Sequence, residues 1–151
     1  MEERLNYVKA SPGAVKAMAQ LQAYLNDCGL ERSLVELVKT RASQINGCAF
    51  CIHTHTQDAL KYGEKLERLF LLDAWEESPI YTSRERAALA LTEAVTKVTE
   101  GHVPDAVYAM ARSQFNEKEL ADLVVTITTI NAWNRISITF RSLPRVESPA
   151  K

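Results

Sequence analysis

Apolar side chains recur three and four positions apart along most of the chain, the spacing that lines one side of an α-helix. In residues 11–29 the repeat is Val15, Met18, Leu21 and Leu25, with Ser11 as a candidate N-cap, Pro12 at the first helical position and Gly29 as the stop. Residues 31–47 carry it through Leu34, Leu37, Val38, Arg41 and Ile45, and a helical wheel puts Glu36 with Arg32, Lys39 and Thr40 on the polar side. Asn46-Gly47 ends that helix, and Cys48 opens another that runs to Gly63 with both of its cysteines in the first turn. A short helix is expected over 64–75, ahead of the break at Pro79. Thr82 with Glu85 reads as a capping box for a helix closed by Gly101, Val103-Pro104 starts the next, and Asn116 with Glu119 caps a last long one. The sum is about seven helices, an all-α fold.

One segment pulls the other way. Residues 123–140, LVVTITTINAWNRISITF, are rich in β-branched side chains, which favour strands by propensity. No second strand-like run is present to pair with it, and a lone strand would leave its backbone groups unsatisfied, so it is assigned to the last helix.

At 151 residues the chain has the size of one domain, taken as residues 1–151, with residues 1–29 as an N-terminal helical segment and residues 145–151 as a flexible tail. Hydrophobic residues make up 46% and charged residues 25%, which suits an ordinary globular protein. A net charge of -1, without a Lys/Arg-rich run, argues against nucleic acid as a partner. The start, MEERLNYVKASPG, is charged where an export signal needs an apolar run. Asp122, Asn131, Asn134 and Arg135 interrupt the longest apolar-leaning stretch, so no membrane span is expected. A soluble, cytoplasmic protein follows, and its apolar helix faces would be buried against copies of itself in a homo-oligomer.

In that compartment thiols stay reduced, so the three cysteines do not read as a disulfide framework. Two of them, with two of the three histidines, fall within the eight residues 48–55. On a helix Cys51 lies about 60° from Cys48 around the axis and His55 about 20°, while His53 is about 140° away. Three chemistries fit Cys48, Cys51 and His55 on one face. A dithiol cycle needs a thiolate that attacks, a thiol that resolves and a base that moves the proton. A zinc site could use all three, but structural zinc takes a second ligand pair, and only Cys28 and His102 remain. Plain packing of small buried thiols is the third. Packing is also the reading for His53, His102 and Cys28. The helix dipole taken alone would make Cys48, nearer the positive end, the more acidic thiol. Covalent haem is excluded by Ile52, where a histidine would be required.

The run ELVKTRASQINGCAFCIHTHTQDALKYG resembles the AhpD-like alkylhydroperoxidases of the carboxymuconolactone decarboxylase superfamily, whose signature is a glutamate, eleven residues, then C-x-x-C-x-x-x-H. The signature falls on Glu36, Cys48, Cys51 and His55, and ERAALALTEAVT and INAWNR look similar too. The resemblance implies an AhpD-like helical bundle assembled as a trimer or hexamer, acting as a thiol-dependent peroxidase in antioxidant defence. It implies that Cys51 attacks an organic hydroperoxide, Cys48 resolves the sulfenic acid to a disulfide, and Glu36 and His55 relay protons. A lipoyl group or thioredoxin-like protein would be the dithiol reductant, with no cofactor or metal required. One departure accompanies it: Phe50 stands where members often have histidine. The cysteine pair, which true carboxymuconolactone decarboxylases lack, argues against a decarboxylase or other lactone enzyme on the same fold. The same pair could serve a disulfide oxidoreductase, or a non-enzymatic redox sensor or adaptor. A buried Glu36 would be expected to have a raised pKa. Asn131, Trp133, Asn134 and Arg135 are candidates for lining the site or a subunit contact, with packing equally open.

Overall fold

A computed structural model describes residues 2–144; the expected tail at 145–151 lies outside them. The described residues form eight α-helices and no strand: α1 (Tyr7–Ala10), α2 (Pro12–Asn26), α3 (Arg32–Asn46), α4 (Ala49–Lys61), α5 (Leu66–Phe70), α6 (Ser83–Thr96), α7 (Asp105–Gln114) and α8 (Glu117–Phe140). The all-α expectation holds, with one helix more than expected. The addition is α1, a single turn whose N-cap Asn6 accepts the Lys9 N–H through its side chain. Several ends fall early. Helix α2 stops at Asn26, leaving Gly29 in the turn that follows, and α6 stops at Thr96, with a 3-10 turn over Val98–Glu100 before Gly101. The expected helix at 64–75 is split into α5 and a 3-10 turn at Leu72–Ala74.

Both capping boxes form as expected, at Thr82/Glu85 and at Asn116/Glu119. The second starts the 24-residue α8, which stays helical despite its β-branched residues. Leu123, Ile127 and Ile130 bury one face of it, and Thr126, Thr128 and Thr129 donate their hydroxyls to the carbonyls of Asp122, Val124 and Val125 one turn back. Burial at roughly 1.5–3 kcal/mol per large apolar side chain outweighs a propensity deficit of a few tenths per residue.

Helix α3 is the axis of the fold, packed by α4, α6 and α8. Every residue from 34 to 43 is buried, so the polar face expected for Glu36, Lys39 and Thr40 does not meet water. Leu34, Val35 and Val38 pack with Ala87, Leu91, Phe115 and Leu123 in the main core, while Leu37 faces Ala59, Leu72, Trp75 and Leu89 in a second. Arg41, placed with the apolar residues by spacing, reaches out of the core and ion-pairs with Glu93 and Asp73. A third, small cluster contains Ala42, Cys48, Cys51 and Ile130, with Phe50 and Trp133 against it. On α2, by contrast, only Leu25 of the expected stripe is buried, and Leu21 is exposed. No described helix is long and apolar enough to cross a membrane.

Candidate functional site

Helices α3 and α4 are joined by Gly47, whose φ of 67° lies in the left-handed region that glycine adopts without penalty. That turn makes Cys48 the N-cap of α4 rather than part of its first turn, and its Sγ accepts the Cys51 N–H at 3.4 Å. Cys51 sits inside the first turn. Both thiols are free and buried.

The two sulfurs are not equivalent. The Cys51 thiol is pulled down to about 6, first because Cys48 donates to its sulfur. Burial opposes this, but hydrogen bonds from Asn134 and Ser137 and the nearby His55 add to the lowering. Cys48 is pushed the other way, chiefly by the same hydrogen bond and then by burial. The dipole reading, which favoured Cys48, is thereby corrected. Direct donors to the Cys51 sulfur outweigh a position three residues nearer the helix end, since a hydrogen bond to an ionised acceptor is about twice as strong as a neutral one.

Glu36 lies one layer away, buried on α3. Its Oε2 is 2.7 Å from Nδ1 of His55, and its Oε1 accepts from Nζ of Lys39 at 2.9 Å. Burial pushes this carboxyl up, but the His55 hydrogen bond and the Lys39 charge overcome it, and the net shift is downward. The expectation of a raised pKa is therefore reversed: a buried carboxylate with two cationic or donor partners is held ionised. Because Glu36 occupies Nδ1, the other ring nitrogen of His55, Nε2, has no hydrogen bond among the described residues.

Cys51, Glu36, Lys39 and His55 share a cavity of about 440 Å³ whose wall includes Phe50, Tyr62 and Trp133. Cys48 does not line it. Instead Cys48 lines a separate cleft of about 370 Å³, with Arg4, Ser137, Arg141 and Ser142 around it. Phe50 belongs to both walls.

Of the other candidates, Asn134 is fully buried, and its amide does three things. Its Oδ1 accepts from Asn46 at 2.8 Å, and its Nδ2 donates to Ser43 Oγ at 3.0 Å as well as serving the cysteines. Trp133 lines the cavity, whereas Asn131 anchors Asn46 and Thr96, and Arg135 donates back to Asn131. Spacing alone did not point to Lys39, Ser43, Asn46 or Ser137. A usable signal existed on α8, where Asn131, Asn134 and Ser137 recur every three residues among apolar neighbours, a polar stripe on a buried helix. His53 is absent from the cavity wall, His102 sits exposed at a positive φ, and Cys28 packs against the main core.

As metal ligands, Cys48, Cys51 and His55 do not gather around a common point among the described residues. The group that does is Glu36, His55 and Asp58, with ligand atoms within 4.8 Å of one another. There the Lys39 ammonium already supplies the positive charge to Glu36.

Comparison with known proteins agrees with this picture. Residues 12–94 match the carboxymuconolactone decarboxylase family. The uncharacterized protein YdfG of Bacillus subtilis (strain 168) is 43% identical over 138 residues, spanning 91% of this chain and 94% of its own. A crystal structure from Agrobacterium tumefaciens, of a protein of unknown function proposed as the antioxidant defence protein AhpD, superposes with a TM-score of 0.94 at 43% identity, covering 97% of this chain and all of that one. The debrominase Bmp8 shares the fold alone, with a TM-score of 0.80 at 16% identity over 92% of this chain and 75% of its own. On a family match spanning more than half its length, and on these likenesses in sequence and fold, the chain belongs to the carboxymuconolactone decarboxylase family as one of its AhpD-like members.

Proposed function

We propose that the protein is a thiol-dependent peroxidase that reduces organic hydroperoxides in antioxidant defence. The observation that carries this reading is a low-pKa Cys51 lining one cavity with the Glu36–His55 pair, while Cys48, outside that cavity wall, hydrogen-bonds its sulfur. The Cys51 thiolate attacks the terminal peroxide oxygen; an S–O bond forms, the O–O bond breaks, and the departing alkoxide takes a proton from His55. Glu36 holds that ring through Nδ1, so Nε2 is the nitrogen that delivers the proton, which solvent then replaces. The Cys48 thiol next attacks the Cys51 sulfenic acid, forming the disulfide and releasing water with its own proton. The balance is one hydroperoxide and two thiols to one alcohol, one water and one disulfide. Apolar walls at Phe50, Tyr62 and Trp133 favour a peroxide with an organic body over hydrogen peroxide.

The test is thiol titration before and after one equivalent of tert-butyl hydroperoxide, with mass spectrometry to locate the link. Loss of two thiols and a Cys48–Cys51 disulfide support the reading; two unreactive thiols overturn it. Turnover further requires a dithiol donor, a lipoyl group or a thioredoxin-like protein. Oxidation that no dithiol reverses in a catalytic assay, accompanied by a change of assembly, would assign the pair to a redox switch instead. Self-association into a trimer or hexamer is part of the same proposal, supported by the exposed Leu21 and Tyr24 on α2 and Tyr108, Met110 and Val125 on α7 and α8. Light scattering of the purified protein decides it.

A further inference from the structure

The two cysteines line different openings whose walls share Phe50 and Ser137: Cys51 the cavity that holds Glu36 and His55, Cys48 the cleft between the start of the chain and the end of α8. Nothing in the hydroperoxide reaction uses that second opening, because the resolving attack of Cys48 on Cys51 is internal. Thiol–disulfide exchange does need it. A thiolate attacks a disulfide sulfur in line with the S–S bond, so the incoming group approaches from the side opposite the sulfur that leaves. Of the pair, Cys48 alone lines the second cleft and Cys51 alone lines the hydroperoxide cavity, so each opening gives access to one sulfur.

We propose that the dithiol reductant enters by the second cleft and attacks Cys48, so that oxidant and reductant reach the cysteine pair through separate openings. The inference rests on the peroxidase reading for the identity of the oxidant, but its chemistry concerns only the disulfide. The first reductant thiolate bonds to Cys48 Sγ, the Cys48–Cys51 bond breaks, and Cys51 departs with the electron pair as a thiolate. The second reductant thiol, giving up its proton, then attacks the reductant sulfur bonded to Cys48. The reductant leaves as a disulfide, oxidised by two electrons, and Cys48 takes up the proton.

Three observations converge on this route. The leaving sulfur is the one that Asn134, Ser137 and the nearby His55 stabilise as a thiolate even while Cys48 is bonded to the reductant, and a better leaving group departs faster. The cleft has the volume of a small-molecule site, about 370 Å³, which suits a slender dithiol rather than a broad protein surface. Its charged lining is one-signed: Arg4 and Arg141 flank Cys48, and among the described residues no acidic side chain lines it. Arg4 is fixed there by donating its Nη1 to the Thr139 carbonyl at 3.1 Å, and its backbone N–H to the Phe140 carbonyl at 3.0 Å. A thiolate, and more so one with a carboxylate or sulfonate on the same molecule, is drawn to that mouth.

The test traps the mixed disulfide. Wild-type protein is oxidised with diamide rather than a hydroperoxide, so that failure of the peroxidase reading does not affect the result. It is mixed briefly with the anionic monothiol 2-mercaptoethanesulfonate, quenched in acid and alkylated, and the adduct is located by mass spectrometry. The expected product carries the adduct on Cys48 and the alkyl group on Cys51, in about tenfold or greater excess over the reverse. Adduct mainly on Cys51, or an even mixture, overturns the proposal. A second arm uses Arg141→Glu and compares 2-mercaptoethanesulfonate with neutral 2-mercaptoethanol. The ratio of their reduction rates should fall about three- to tenfold relative to wild type at low salt. An unchanged ratio would remove the basic mouth from the route and overturn the charge selection.

Discussion

Replacing Cys48 with alanine removes the main cause of Cys51 acidity, together with the N-cap sulfur that accepts the Cys51 N–H at the start of α4. The wild-type Cys51 value of about 6 stands well below the ordinary 9.0, and the Cys48 hydrogen bond is the largest contribution to that difference. A hydrogen bond to a charged group is worth about 1.5–3 kcal/mol, or roughly one to two pKa units, so Cys48→Ala should titrate at about 7–8. At pH 7 the thiolate fraction would fall from about nine-tenths to between about one-tenth and one-half, and alkylation of Cys51 by iodoacetamide would slow about two- to tenfold. Above pH 9 the two proteins should converge. Cys48→Ser keeps an O–H donor at the N-cap and should stay close to wild type. The assay is the pH profile of alkylation, read at Cys51 by mass spectrometry so that Cys28 does not contribute. If Cys48→Ala titrates with the same midpoint as wild type, or if serine and alanine behave alike, the Cys48–Cys51 hydrogen bond is not what makes Cys51 acidic.

Glu36→Gln leaves a neutral amide against His55 and strips the buried Lys39 of its counter-charge. We expect a stability loss of about 1–3 kcal/mol by urea denaturation and a slowing of hydroperoxide oxidation of Cys51 of about a hundredfold by stopped flow. An unaltered oxidation rate would take the Glu36–His55 pair out of the mechanism. The stability of the reduced protein should also depend on pH through Cys51. Its folded value is below its unfolded one, so the thiolate contribution is fully present above about pH 9 and is lost as the pH falls to about 6. Urea midpoints of the reduced wild type should therefore rise between pH 6 and pH 9 more steeply than those of Cys51→Ser; parallel curves would contradict the shift.

Much of this was legible from side-chain spacing, and where it was not the physics explains why. Both capping boxes are local devices, complete within four residues, and both formed where Thr82/Glu85 and Asn116/Glu119 announced them. The helix at 123–140 required weighing propensity against the want of a strand partner, and burial of Leu123 and Ile127 settled it. Glu36 shows the limit of a helical wheel. A wheel assumes one dry side, but α3 is enclosed by α4, α6 and α8, so Glu36, Lys39 and Ser43 meet protein partners rather than water. The direction of the Glu36 shift followed from His55, nineteen positions away on another helix, and from Lys39, the i+3 neighbour that the wheel had placed in water. The order of the two thiols was likewise beyond the dipole, because it turns first on the hydrogen bond that Cys48 donates to Cys51 and then on Asn134 and Ser137, more than eighty positions away in sequence.

The unequal thiols also make the pair an unusual electrochemical couple. Between pH 6 and the high value of Cys48, the reduced protein carries one thiol and one thiolate, so reducing the disulfide takes up one proton for two electrons. Its midpoint potential should then fall by only about 30 mV for each pH unit, against about 59 mV for a reductant whose two thiols are both protonated. Each pH unit of alkalinity therefore widens the driving force for recharging the protein by about 30 mV, or about 1.4 kcal/mol.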